Sequence, residues 1–201
     1  TYNVTDGCGN SSACSTTLTV SDDDAPTVVC DEFTVVTLNS SGYAYVFAET
    51  FDDGSYDNCS PVDFAVRRMI AACGEQPVFG PTVKFCCEDV GDDVQVEMQV
   101  TDYIGNSNFC MVTVHVDDNS VPAILCPAPV TITCLEDPTD LSLTGEPTTS
   151  IACGSIDVTF SDVSNLNLCD VGTITRTWTA TAGNGTSNSC TQTITLVDNT
   201  P

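Results

Sequence analysis

The sequence predicts an all-β chain of tandem, disulfide-stapled sandwiches, and three observations carry that prediction. β-Branched residues recur with a period of two, with 29 threonines among them, a pattern that suits half-buried strands rather than helices. Thirteen cysteines in 201 residues point to an oxidising compartment and a cross-linked scaffold. The third observation is self-similarity at long period.

Three stretches align: Thr5-Asp6-Gly7-Cys8-Gly9-Asn10-Ser11-Ser12-Ala13-Cys14, then Thr101-Asp102-Tyr103-Ile104-Gly105-Asn106-Ser107-Asn108-Phe109-Cys110, then Thr181-Ala182-Gly183-Asn184-Gly185-Thr186-Ser187-Asn188-Ser189-Cys190. Each leads into an alternating strand, Ser15 to Val20, Met111 to Val116 and Thr191 to Val197. An acidic linker ending in proline follows: Asp22-Asp23-Asp24-Ala25-Pro26, Asp117-Asp118-Asn119-Ser120-Val121-Pro122 and Asp198-Asn199-Thr200-Pro201. Four residues after the first two prolines stand Cys30 and Cys126. The repeat is therefore about 96 residues in one copy and 80 in the next. The chain divides into residues 1–25, the closing hairpin of a preceding repeat or a subunit-joining segment, and two whole units at 26–121 and 122–201.

In the first unit, alternation places strands at Thr34 to Leu38, Tyr43 to Glu49, Val62 to Met69, Val94 to Thr101 and Phe109 to Val116. The second unit has them at Thr131 to Cys134, Ile156 to Phe160, Ile174 to Ala180 and Cys190 to Val197. No window carries a helical period. Units of this length, with about seven short strands separated by turn residues, fit tandem immunoglobulin-like β-sandwiches.

The Asp-x-x-Gly-Asn-x-x-x-Cys hairpin, the Asp-rich linker ending in Pro, the Cys126-Pro127 step and the Asp57-Asn58-Cys59 turn resemble the hyalin-type (HYR) repeats. Those repeats stand in tandem in very long secreted bacterial proteins, such as those of the Bacteroidota. The resemblance spans essentially the whole chain and implies an extracellular tandem array. The second unit departs from it, with Ala182 at the hairpin aspartate.

Aligning the two units proposes Cys30–Cys110 and Cys126–Cys190 as staples between first and last strands. Cys59 and Cys153 stand at equivalent turns, and Cys87 and Cys169 precede equivalent Asp-Val-Gly steps, which proposes Cys59–Cys87 and Cys153–Cys169. Cys73 and Cys86 would close an insertion in the longer unit. Cys8, Cys14 and Cys134 remain. Cys134 matches Leu38 of the first unit, and Cys8 matches Ile104, so a Cys8–Cys134 bridge between different sandwiches is a candidate intersubunit link. The odd total requires at least one free or intermolecular thiol. Either the chain is cut from a longer array, or residues 1–25 pack on a neighbouring subunit with Cys8 or Cys14 bonded to Cys134.

Twenty-eight acidic residues against four basic ones give a net charge of −24. Arg67, Arg68, Lys84 and Arg176 cannot assemble a basic face, which excludes electrostatic binding to nucleic acid or anionic lipid. No apolar run approaches the roughly 20 residues a bilayer span needs. The chain opens without Met or a basic leader, as a mature form or a fragment would.

In this fold the loops after the second and sixth strands lie beside the incoming linker. In the first unit they carry Asp52, Asp53, Asp57, Asn58, Asp102 and Asn106, and the linker brings Asp22, Asp23 and Asp24. Carboxylates converging in this way repel one another unless a hard cation sits among them, which predicts a structural Ca²⁺ bound by about 6 to 8 oxygens. The alternative is a solvated acidic surface. At the second junction Asp117 and Asp118 meet only Glu146, Ala182 and Asn184, a poorer set. Asp89, Asp92 and Asp93 read as a solvated turn.

Catalytic chemistry has little to build on. His115 is the lone histidine and stands in a strand, no Cys-x-x-Cys zinc motif is present, and Trp178 reads as core. Asn3, Asn10, Asn39, Asn58 and Asn184 match the Asn-x-Ser/Thr pattern, and the Ser/Thr-rich strands could carry O-linked sugar. The expectation is a non-enzymatic extracellular structural protein, a rigid filament or stalk whose partners are copies of itself or neighbouring repeats. The alternative is an adhesin or carbohydrate-binding module, for which Phe51, Tyr56, Phe64 and Phe79 are the candidate aromatics.

Overall fold

The computed structural model describes residues 1–199; Thr200 and Pro201, which end the third linker, lie outside the described residues. An isolated hairpin, β1 (Tyr2–Thr5) and β2 (Ser11–Cys14), opens the chain. The first unit contains β3 (Phe33–Thr37), β4 (Tyr43–Phe47), β5 (Val62–Arg68), β6 (Thr82–Cys86), β7 (Asp93–Asp102) and β8 (Ser107–Asp117). Its larger sheet runs β3-β8-β7-β5, with β3 parallel to β8 and the other pairs antiparallel. The two-stranded β4-β6 sheet supplies Val83 and Phe85 to the core that the large sheet fills with Val66, Val96, Met98, Val100, Val112, Val114 and Val116. Alternation explains this directly, because every second residue of β7 and β8 points inward. Each fully buried Val or Phe contributes about 1.5–3 kcal/mol.

The second unit contains β9 (Ala123–Leu125), β10 (Val130–Thr133), one helical turn α1 (Leu141–Thr144), β11 (Thr148–Ser150), β12 (Ile156–Leu166), β13 (Gly172–Ala182) and β14 (Ser187–Val197). Its large sheet repeats the first, β10-β14-β13-β12 with β10 parallel to β14, beside a short β9-β11 pair. The registers match residue for residue. Tyr2 faces Cys14, Met98 faces Cys110 and Trp178 faces Cys190.

The cores do not match. Where the first unit buries Val96 and Val112, the second buries Arg176 and Gln192. Among the described residues no sheet equivalent to β4-β6 covers them; the segment containing α1 does. That strap has main-chain carbonyls without strand partners, and the two polar side chains satisfy them. Arg176 donates to Pro138 O (2.8 Å), to Thr144 Oγ1 (3.2 Å) and through two nitrogens to Asp162 (2.8 Å each), with its guanidinium 4.0 Å from the Phe160 ring centre. Gln192 donates to Thr144 O and Ala128 O and accepts from Trp178 Nε1.

Two expectations are corrected. Ser15 to Val20 is not a strand; in the first unit the matching Met111 to Val116 is held by β3 and the start of β7, and among the described residues nothing comparable flanks Ser15 to Val20. The structure contains Cys30–Cys110, Cys126–Cys190 and Cys73–Cys86, but neither Cys59–Cys87 nor Cys153–Cys169. Within one unit, Cys59 lies at the end where the linker enters and Cys87 at the opposite end. The intervening ten-residue β7 spans about 33 Å, against the roughly 4.4–6.8 Å between Cα atoms that a disulfide tolerates. The eleven-residue β12 separates Cys153 from Cys169 in the same way. The fourth bridge is instead Cys87–Cys153, from the exit end of the first unit to the entry end of the second.

Candidate sites at the two junctions

The first two linkers are each clamped by the hairpin that follows in space. Asn108 Nδ2 donates to Pro26 O, and its equivalent Asn188 Nδ2 donates to Pro122 O, both at 3.2 Å. Asn106 Nδ2 reaches Asp22 O (3.3 Å), whereas in the second unit Asn184 Nδ2 reaches Asp118 O and Ser120 O at 3.0 Å. Side-chain amides thus fix the direction in which each unit leaves the one before.

At the first junction three carboxylates meet: one oxygen each from Asp22, Asp57 and Asp102 lies within 4.8 Å of the others. The turn geometry of the sequence builds this. Asp102 accepts from the main-chain amides of Ile104, Gly105 and Asn106 and from Asn106 Nδ2 at 2.6–2.9 Å, and Asp6 caps its own hairpin in the same manner. Burial pushes the Asp102 carboxyl up, but the Asn106 side chain and those three amides outweigh it and hold the group below the usual carboxylate range. Asp57 Oδ2 accepts from the Cys59 and Ser60 amides. Asp22 Oδ2 is buried without a hydrogen-bond partner among the described residues. A buried carboxylate oxygen facing two further carboxylates is a donor set of the hardness that suits Ca²⁺.

The other candidates disperse. Asp23 is exposed, Asp24 accepts from Asn58 Nδ2 (3.3 Å), Asp52 caps Gly54 and Ser55, and Asp53 is exposed. At the second junction Asp118 is buried and satisfied by Ser120 N and Oγ at 2.9 Å, while Asp117 lies 3.5 Å from His115 Nε2. Ala182 stands where Asp102 completes the first cluster, and the Cys87–Cys153 bridge holds this junction instead. Gly42 makes room for it: a Cβ there would lie 2.7 Å from Cys87 Sγ, and the residue has φ of +78°. Ala152 and Cys153 pack into the core of the first unit, so the contact is apolar as well as covalent. Asp89 is no solvated turn residue; it is buried against Arg68 in a two-pronged ion pair at 2.6 and 2.9 Å.

No protein-family model matches the chain, and no curated protein matches it. Among solved structures, the protocadherin gamma B4 extracellular domain is similar at 14% identity and TM-score 0.38, covering 88% of this chain and 35% of that one. The N-terminal four Ig domains of Dscam1 isoform 9.44 are similar at 12% identity and TM-score 0.41, covering 86% and 46%. Human mucin-like protocadherin EC1-2 is similar at 10% identity and TM-score 0.37, covering 86% and 98%. The chain spans about a third to a half of the length of the first two. Its own strands and bridges describe an all-β protein with immunoglobulin-like sandwich architecture and four disulfides.

Proposed function

We propose that the chain is an extracellular structural protein, a subunit of a rigid filament or stalk in which β-sandwich repeats stack head to tail. The Cys87–Cys153 bridge carries this reading, because a covalent link from one unit's exit to the next unit's entry resists bending at the joint. The amide clamps on both linkers support it. Calcium at Asp22, Asp57 and Asp102 would stiffen the first joint by neutralising their mutual repulsion. In this reading the partners are further copies or repeats, and the compartment is oxidising, as the four disulfides require.

The test is small-angle scattering of the isolated chain with and without thiol reductant, together with electron microscopy of concentrated, calcium-loaded protein. A stiff rod that loosens on reduction, and linear assemblies in the micrographs, support the reading; a flexible pair of globules in oxidant, with no linear assemblies, removes it.

One observation favours carbohydrate binding as a second reading. Of the expected aromatics, Phe51 is fully buried, Phe64 packs on the core, and Phe79 sits under Arg67 (4.5 Å) beside Phe109, which leaves Tyr56 alone. The outer face of β4 instead carries Tyr43, Tyr45 and Phe47 in a row, with Lys84 about 6 Å from both tyrosine rings. Exposed aromatic rings in a row can stack on sugar rings, although Tyr43 and Tyr45 meet edge to face at 69°, and Tyr45→Ala together with a glycan array tests it.

A further inference from the structure

Cys59 and Cys169 are free and exposed, at opposite ends of the chain's two units. Their equivalents are not free. Cys59 stands three residues before Val62, which faces Asp102 at the hairpin; Cys153 stands three residues before Ile156, which faces Ala182 at the equivalent place. The flanking bridges agree, since Thr27 pairs with Tyr56 as Ala123 pairs with Ser150. Cys169 lies in the loop that enters β13, as Cys87 lies in the turn that precedes β7. Both loops stand at the exit end, where β8 and β14 finish. Within the chain a Cys87-position thiol is already bonded to the Cys153-position thiol of the next unit. The chain therefore carries a formed staple in its middle and one complementary half at each end.

The surface agrees with the covalent pattern. At the first unit's exit, Ala152 and Cys153 of the next unit lie against the core. At the second unit's exit, Leu135 and Leu168 are exposed, Leu168 completely. Cys59 in turn sits beside the linker carboxylate of Asp22, as Cys153 shares a cavity with the equivalent Asp118.

We propose that Cys169 of one copy forms a disulfide with Cys59 of the next copy, repeating between subunits the Cys87–Cys153 staple within each. This rests on the head-to-tail reading above and specifies its joint. The oxidant is a small-molecule disulfide of the glutathione type. The Cys169 thiolate attacks one of its sulfurs, breaking that S–S bond and releasing one small thiol. The Cys59 thiolate of the next copy then attacks Cys169 Sγ in the mixed disulfide and expels the second small thiol. Two electrons pass to the small disulfide, and the two cysteine protons end on the released thiols.

The experiment uses the full chain carrying C8S, C14S and C134S, so that only Cys59 and Cys169 are free. It is oxidised with glutathione disulfide, run on a non-reducing gel, cleaved at aspartates and analysed by mass spectrometry, with electron micrographs of the same sample. The expected result is a ladder that collapses on reduction and a peptide joining Cys59 to Cys169. Adding C59S or C169S alone should remove that peptide, and mixing the two variants should give a covalent dimer and nothing longer. Linear assemblies in which both cysteines still react with a thiol reagent overturn this joint and leave the filament reading standing. Neither assemblies nor the linked peptide overturns both.

Discussion

Arg176 offers the sharpest test of how the second unit holds its shape. It is fully buried, at the position where the first unit has Val96, and it joins β13 to Asp162 on β12 and to the strap through Pro138 O and Thr144 Oγ1. Arg176→Met removes the cation and leaves Asp162 and the strap carbonyl without their donor. Asp162 keeps part of its side chain in solvent, so the main loss is at the strap: leaving the Pro138 carbonyl and the Thr144 hydroxyl without the charged donor they were buried against costs about 3–5 kcal/mol together. A unit of this size has roughly 4–12 kcal/mol of stability in all. At about 2.1 cal/mol/K per residue, that loss lowers the melting midpoint of the second unit by roughly 20–30 °C. Calorimetry in oxidant should show one transition falling by that amount while the first unit's transition stays in place. Arg176→Met combined with Asp162→Leu should recover part of the loss, since no charge is then left unpaired. A fall of under about 5 °C for the single variant would refute the reasoning, because that is the behaviour of an exposed ion pair.

Three further outcomes follow from the junctions and the exit end. Replacing Cys87 and Cys153 by serine opens a loop of 66 residues, which lowers stability by about 4 kcal/mol in denaturant titrations and broadens the inter-unit angle seen by scattering. Saturating free calcium should raise the first unit's melting midpoint by roughly 5 °C or more over chelator-treated protein; Asp22→Asn should abolish the rise and Asp118→Asn should leave it intact. His115 Nδ1 lies 2.8 Å from Asp93, and that hydrogen bond, with Asp117 and Asp92 nearby, raises its pKa above the usual value near 6.5. Its stabilising contribution is therefore complete below pH about 6.5 and is lost as pH rises through the folded midpoint. An NMR titration should place that midpoint above the model-peptide value, and Asp93→Asn should bring it back.

The parts of this fold that are local in sequence could be read from it. Alternation placed β3, β5, β7 and β8 to within a few residues, and the repeated hairpin brought Asp102 and Asp22 to the same junction. What could not be read is whatever depends on which end of a strand a loop occupies. The alignment correctly treats Cys59 and Cys153 as equivalent, and Cys87 and Cys169 likewise, yet equivalence does not say that members of one unit are neighbours. The length of β7 and β12 forbids that, and the pairing moves to the next unit. The polar centre of the second unit did leave a trace, because Arg176 falls in phase with Ile174, Trp178 and Ala180 on an inward face. A charge in that register requires an internal partner.

The same end-to-end argument bears on the cysteines of the opening hairpin. Leu38, the equivalent of Cys134, donates its amide to Asp117 O at the exit end, and Ile104, the equivalent of Cys8, lies in the turn at the entry end. A bond between those positions can only run from one unit to the following one. The hairpin itself argues in the same direction. Tyr2, Val4, Leu18 and Val20 are all exposed, and they occupy the positions of Met98, Val100, Val114 and Val116, every one of which is fully buried in the first unit. At about 1.5–3 kcal/mol per side chain, burying that face would contribute roughly 6–12 kcal/mol, more than a two-stranded hairpin can supply to itself in water. A face with the core pattern and no core is stable only against the rest of a sandwich. A second sheet from a neighbouring repeat or copy would bury these four residues and bring Cys14 to the position where Cys110 and Cys190 are already bridged.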